Sequence, residues 1–121
     1  MNIESVEEQA LVLSDVGAAG LRVPENVSLD SIQLLAAAVA SCTWTTLATY
    51  GERFGAGAND IRIAVRWSLA DQPKRVARMD LDVTWPSLPA SRLDAATRAA
   101  RYCTLHATLT HGAEVETFVD Q

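Results

Sequence analysis

Cys42 and Cys103 are the residues in this chain best suited to chemistry. Two cysteines in a chain of intracellular type are more often catalytic or redox-sensing than a structural disulfide. The bland reading stands beside this one, because free cysteine is among the most buried residue types and packs as a small hydrophobe. His106 follows Cys103 by three residues, and a Cys-x-x-His step is a fragment of a zinc site. Cys42 is the one further ligand at hand and His111 a remote fourth, so no metal is expected, and His106 reads as a helix-end or packing residue. Trp44, Trp67 and Trp85 offer the lining of an apolar pocket; Trp67 and Trp85 fall on core-facing strand positions, where core packing is the expected use.

The rest of the chain limits what such thiols can serve. Ten Lys and Arg against fifteen Asp and Glu leave a net charge of -5, so no basic field gathers phosphates, and nucleic acid is excluded as a partner. Met1 is followed by Asn2, Glu4, Glu7 and Glu8 with no basic segment leading into an apolar run. No secretory signal is read, and a cytoplasmic location is expected. The longest apolar run, 34–40, falls far short of the roughly 20 residues that cross a bilayer, so no membrane partner is expected. With 121 residues, 49% of them hydrophobic, residues 1–121 form a single domain whose small core association would help, which makes a homodimer plausible.

The elements that must hold the cysteines follow from periodicity. Residues 10–13 read as a short strand, and the Gly-Ala-Ala-Gly stretch at 17–20 and Pro24 break the pattern. Asp30 and Gln33 have capping-box spacing, so a helix should begin near Ser31. It is apolar on every side from Ile32 to Ala40, implying burial all round, and it carries Cys42. Gly51 and Gly55 stop it. Ile61, Ile63, Val65, Trp67 and Leu69 alternate with polar or small residues, and Met79, Leu81, Val83 and Trp85 repeat the pattern. These form an antiparallel hairpin, with Arg62 and Arg66 facing Asp80 and Asp82 across its outer surface. Ser91 and Asp94 should open a second helix, on which Leu93, Ala96, Thr97, Ala100 and Cys103 share the inward face. Residues 115–119 complete the chain as a last strand. The fold class is α+β, an antiparallel sheet packed on a long buried central helix.

The segment from Leu34 through Ala40 to Ser41-Cys42-Thr43 resembles the cysteine helix of the OsmC/Ohr family. Cys103-Thr104-Leu105-His106-Ala107-Thr108-Leu109, then Gly112 and Glu114-Val115-Glu116-Thr117, resembles that family's second cysteine segment and closing strand. The likeness covers residues 30–119, with a β-hairpin between the motifs. It implies an OsmC-like fold, an intertwined homodimer with its cysteine pairs near the subunit interface, and a thiol peroxidase activity on organic hydroperoxides, an antioxidant and stress-response role. By motif, Cys42 is the peroxidatic position and Cys103 the resolving one. A thiolate attacks the peroxide, becomes a sulfenic acid and condenses with the second thiol to a disulfide that an external dithiol reduces. No cofactor is required.

The family pattern has a glutamate ten residues before the first cysteine, where this chain has Ile32, and an activating arginine in an N-terminal strand, for which the chain is expected to begin too late. Arg22, Arg53 and Arg101 are the candidate replacements. The functional expectation is therefore a weakened peroxidase. The alternative is a non-catalytic member of the fold that binds a small apolar ligand or senses redox state at the dimer interface.

Overall fold

The computed structural model describes residues 2–14 and 21–121; the Gly-Ala-Ala-Gly stretch at 17–20 lies outside them. Strands β1 (Asn2–Glu7) and β2 (Ala10–Ser14) precede the long helix α1 (Ser31–Glu52), and the hairpin β3 (Arg62–Ala70) and β4 (Arg75–Thr84) follows it. All neighbouring strands are antiparallel, in the order β1-β2-β3-β4. The sheet is thus a meander into which α1 is inserted, between β2 and β3. The α+β expectation holds.

The start of α1 is fixed as its sequence requires. The Gln33 N–H donates to Asp30 Oδ1 at 2.8 Å, and the Asp30 N–H donates to Gln33 Oε1 at 2.9 Å, satisfying two helix-end donors at once. Gln33 Nε2 also donates to the Glu7 carbonyl at 3.1 Å, which ties this end of the helix to the end of β1. At the other end, a Cβ on Gly51 would stand 2.8 Å from the Ala56 carbonyl oxygen and 3.0 Å from the Trp85 ring. Because the first of these neighbours is backbone, Gly51→Ala is expected to cost about 1–3 kcal/mol, the range for an overpacked core. Urea unfolding of the variant measures it.

The inner face of α1 (Ala36, Ala37, Ala40, Leu47) packs into one core with Leu11 and Leu13 of β2 and Ile63, Val65 and Trp67 of β3. Small alanines on the helix let it approach the sheet closely. Burial all round is not what forms, however. Leu34 is 48% exposed, and Ala38, Thr45 and Thr49 continue an open stripe on the same side, because one chain has only one sheet to lay against the helix. The expectation about membranes also needs correction. At 22 residues, with a mean hydropathy of 1.3 over its most apolar 18-residue window, α1 is long and apolar enough to cross a bilayer. The run at 34–40 understates this because Ser41, Cys42 and the threonines beyond it interrupt the run without adding charge. In the fold, α1 is the helix on which the sheet is laid.

The hairpin forms in the expected place, with a register shift between Ser68 and Leu69. Its outer charges pair differently from the expectation. Arg66 meets Asp82 at 2.8 Å, but Arg62 reaches across β2 to Glu4 at 2.7 Å, and Asp80 is held by Arg78 at 2.9 Å. Hydrogen bonds from Arg62 hold the Glu4 carboxyl below its usual range. The inner residues of β4 are less covered than alternation implies: Met79 and Leu81 are half-buried and Val83 is 37% exposed, since β4 is the free edge of the sheet.

The segment after the hairpin departs most from expectation. Instead of one helix from Ser91 there is a 3₁₀ turn (Ala90–Arg92), then α2 (Leu93–Ala100), a break at 101–103, and α3 (Thr104–His111). The turn is closed by the Arg92 N–H donating to the Pro89 carbonyl at 2.8 Å, so α2 begins after Ser91 and the Ser91–Asp94 cap does not form. Cys103 consequently sits at the start of α3 rather than on the face of α2. Gly112, at φ 79°, ends α3 in a conformation that favours glycine. The strand expected at 115–119 does not form: the segment has no regular secondary structure, and Val115, Phe118 and Val119 are 84–93% exposed. A strand needs a neighbour to complete its ladder.

Candidate active site

Folding brings the two cysteines together. Cys42 lies in the middle of α1 and is half-buried, Cys103 is fully buried, and both are free. The Cys42 thiol lies close enough to Cys103 to influence its ionisation, and the gap between the first and second cysteine motifs is closed by packing of α3 against α1. Cys103 has a second partner: as the N-cap of α3, its Sγ accepts from the His106 N–H at 3.4 Å. Burial pushes the Cys103 thiol above its ordinary range, and the neighbouring Cys42 thiol adds to this. The backbone N–H groups of His106 and Leu105 pull the other way. The net effect keeps Cys103 protonated and facing Cys42.

This raised thiol makes folding stability depend on pH. The folded state holds the proton more tightly than the unfolded chain does. Its contribution is therefore complete below about pH 8.5, where a free thiol ionises, and is lost as the pH rises through the folded value. Melting temperatures between pH 7 and 10 should fall more steeply for the native protein than for Cys103→Ser.

A cavity of about 350 Å³ opens between β4, α2 and α1 close to the pair, and its lining includes Thr43, Leu81, Trp85, Arg101 and His106. Thr43 directly follows Cys42, and His106 carries the amide that caps Cys103. Of the three candidate cations, Arg101 lines this cavity. Arg53 lines a different cleft, between α1 and α2, with Thr45, Thr49 and Tyr50. Arg22 is bridged to Asn2 of β1. Ile32, where the family pattern has a glutamate, is half-buried and packs against the core. His106 belongs to the first turn of α3 and packs between two cavities, in keeping with a helix-end residue. Among the described residues, no three His, Cys, Asp or Glu side chains gather into a metal-binding group. Trp67 and Trp85 are buried at 6% and 7% exposure. The indole N–H groups of Trp85 and Trp44 donate to the carbonyls of Gly57 and Ala58, at 2.8 and 3.3 Å.

The α3 N-terminus is the part of the site that sequence reasoning missed. Neither glycine nor proline occupies 101–103, and cysteine is not among the residues that announce a cap.

These features define an α+β protein in which a buried dithiol joins a long core helix to the start of a second one. A family model described as OsmC-like protein matches residues 24–118. The chain belongs to the OsmC-like protein family, and its general role is the peroxide- and stress-related one of that family. Comparisons with curated proteins and with solved structures give no match.

Proposed function

We propose that the protein is a cysteine-based thiol peroxidase that reduces organic hydroperoxides in the cytoplasm, with Cys42 attacking and Cys103 resolving. The observation that carries this reading is the placement of the Cys42 thiol beside the buried Cys103 thiol, close enough to raise it. Cys42 has the accessible sulfur and Cys103 the buried, protonated one. Attack by the Cys42 thiolate on the peroxide breaks the O–O bond, releases the alcohol and leaves Cys42 as a sulfenic acid. Cys103 then displaces the hydroxyl as water and forms the disulfide, and an external dithiol returns both sulfurs to thiols. Two electrons pass from the thiol pair to each hydroperoxide, and no cofactor takes part. The cavity reached through Thr43 and His106, the neighbours of the pair, is lined by Met79, Leu81, Val83 and Leu93 with Asp80 and Arg101 among them, and its apolar residues suit an organic rather than an inorganic peroxide.

The working form in this reading is a homodimer. The chain exposes 8209 Å², whereas a compact monomer of 13.0 kDa exposes about 6,300 Å². Features that lack a cover among the described residues include the open stripe of α1 and the segment 113–121. A partner that covers them buries an interface of obligate size, above roughly 2,000 Å² in total.

The test is consumption of cumene hydroperoxide by purified protein in the presence of dithiothreitol. Many turnovers per chain above the dithiothreitol blank are expected. A rate equal to the blank would leave the alternative, a non-catalytic member of the fold.

A further inference from the structure

We infer that the oxidised site is recycled in one direction only: the external dithiol attacks Cys42, and Cys103 is the sulfur that leaves, held in place by the first turn of α3. This inference rests on the dithiol reading above and concerns the half of the cycle that regenerates it. A thiolate must approach a disulfide along the S–S axis from the far side of the sulfur that it attacks, so access to each sulfur decides which is taken. Cys103 is 0% exposed. Its Sγ is backed by the first turn of α3, whose His106 N–H donates to it at 3.4 Å. An attacking thiol would have to displace that turn. Cys42 is only half-buried, in the middle of α1, away from either end of that helix.

Geometry also determines what happens to the departing sulfur. As the bond to Cys42 breaks, negative charge develops on Cys103 Sγ. Burial opposes that charge, and the N–H groups of His106 and Leu105 at the positive end of α3 favour it. The sulfur that caps α3 as a thiol is thus also placed to leave as a thiolate against the same N–H groups. The balance is complete. The first thiolate of the dithiol forms a mixed disulfide with Cys42 and releases Cys103, which takes up a proton. The second thiol of the reductant then attacks its own sulfur in that mixed disulfide and releases Cys42.

Trypsin separates the two positions, because Arg22, Arg53 and Arg101 place Cys42 and Cys103 on different peptides. In the experiment, one sample of the full chain is oxidised with cumene hydroperoxide and a parallel one with diamide. Each is exposed briefly to 2-mercaptoethanol, quenched in acid, labelled with N-ethylmaleimide in denaturant, and mapped by mass spectrometry. The mercaptoethanol adduct is expected on Cys42 and the maleimide on Cys103, in at least roughly tenfold excess over the reverse pattern. An adduct on Cys103, or equal amounts on both, overturns the inference. If diamide forms the disulfide and the adduct falls on Cys42 while cumene hydroperoxide forms none, the direction stands and the peroxidase reading falls. Failure of both oxidants to form the disulfide overturns both. His106→Pro, compared with His106→Ala, removes the capping N–H apart from the ring. Release of Cys103 is expected to slow severalfold in the proline variant alone, and equal rates in the two would remove the amide from the mechanism.

Discussion

Cys42→Ser is expected to reduce hydroperoxide consumption to the buffer rate, and Cys103→Ser, reduced beforehand and assayed without added thiol, to stop it after one equivalent per chain. The two outcomes differ because the two sulfurs do different work. Without Cys42 no thiolate opens the peroxide, and Cys103, fully buried and held as a thiol by its surroundings, does not substitute. Without Cys103 the first step still occurs, and the sulfenic acid on Cys42 waits for a partner that is no longer there. Dimedone should then label Cys42 in the Cys103→Ser variant and label neither position in Cys42→Ser. Loss of structure is not a competing explanation for Cys103→Ser. Serine is a preferred N-cap, and its hydroxyl oxygen replaces Sγ as acceptor for the His106 N–H, so α3 keeps its start. Full turnover by Cys42→Ser would sink the assignment.

The second large effect is on assembly. Removal of residues 113–121 is expected to convert a stable dimer into a monomer at micromolar concentration, as measured by sedimentation equilibrium. Residues Val115, Thr117 and Val119 alternate with Glu114, Glu116 and Phe118, the period of a strand. Val115 and Val119 are nevertheless 84% and 93% exposed, and the segment pairs with no strand of its own chain. A segment with this pattern and no ladder has backbone donors and acceptors to offer, and the sheet's β4 edge is unpaired among the described residues and can receive it from a second copy. A full-length chain that sediments as a monomer contradicts the dimer. A truncated chain that dimerises as tightly as the full one shows that the α1 stripe is the interface and the segment is not.

What could be read in advance followed from local rules. Asp30 and Gln33 announce the start of α1, and the alternation at 61–69 announces β3, because capping and pleat geometry depend on a few neighbouring residues. The burial of Cys103 was legible but was assigned to the face of the second helix, whereas the residue sits at the start of α3, and Cys42 is only half-buried. The approach of the two cysteines was not legible, since it depends on how α3 turns back onto α1, and the break at 101–103 carries no glycine or proline to mark it. The last strand shows the opposite case. Its alternation is present in the sequence but no strand forms, because a strand is a relation between two segments and no described residue of the chain pairs with this one. Arg62 was assigned the wrong carboxylate for a similar reason, because its partner Glu4 lies two strands away, on a segment too short to read.

The close approach at Gly51 has a consequence for how the sequence can drift. A Cβ at residue 51 would stand within about 3 Å of both the carbonyl of residue 56 and the ring of Trp85, so these positions are not free to vary one at a time. A side chain gained at 51 demands volume lost at 85. Trp85 also lines the cavity beside the thiols, and the substitution history of a helix terminus is thereby coupled to the shape of the site: descendants that escape the glycine must also remodel the space offered to a substrate.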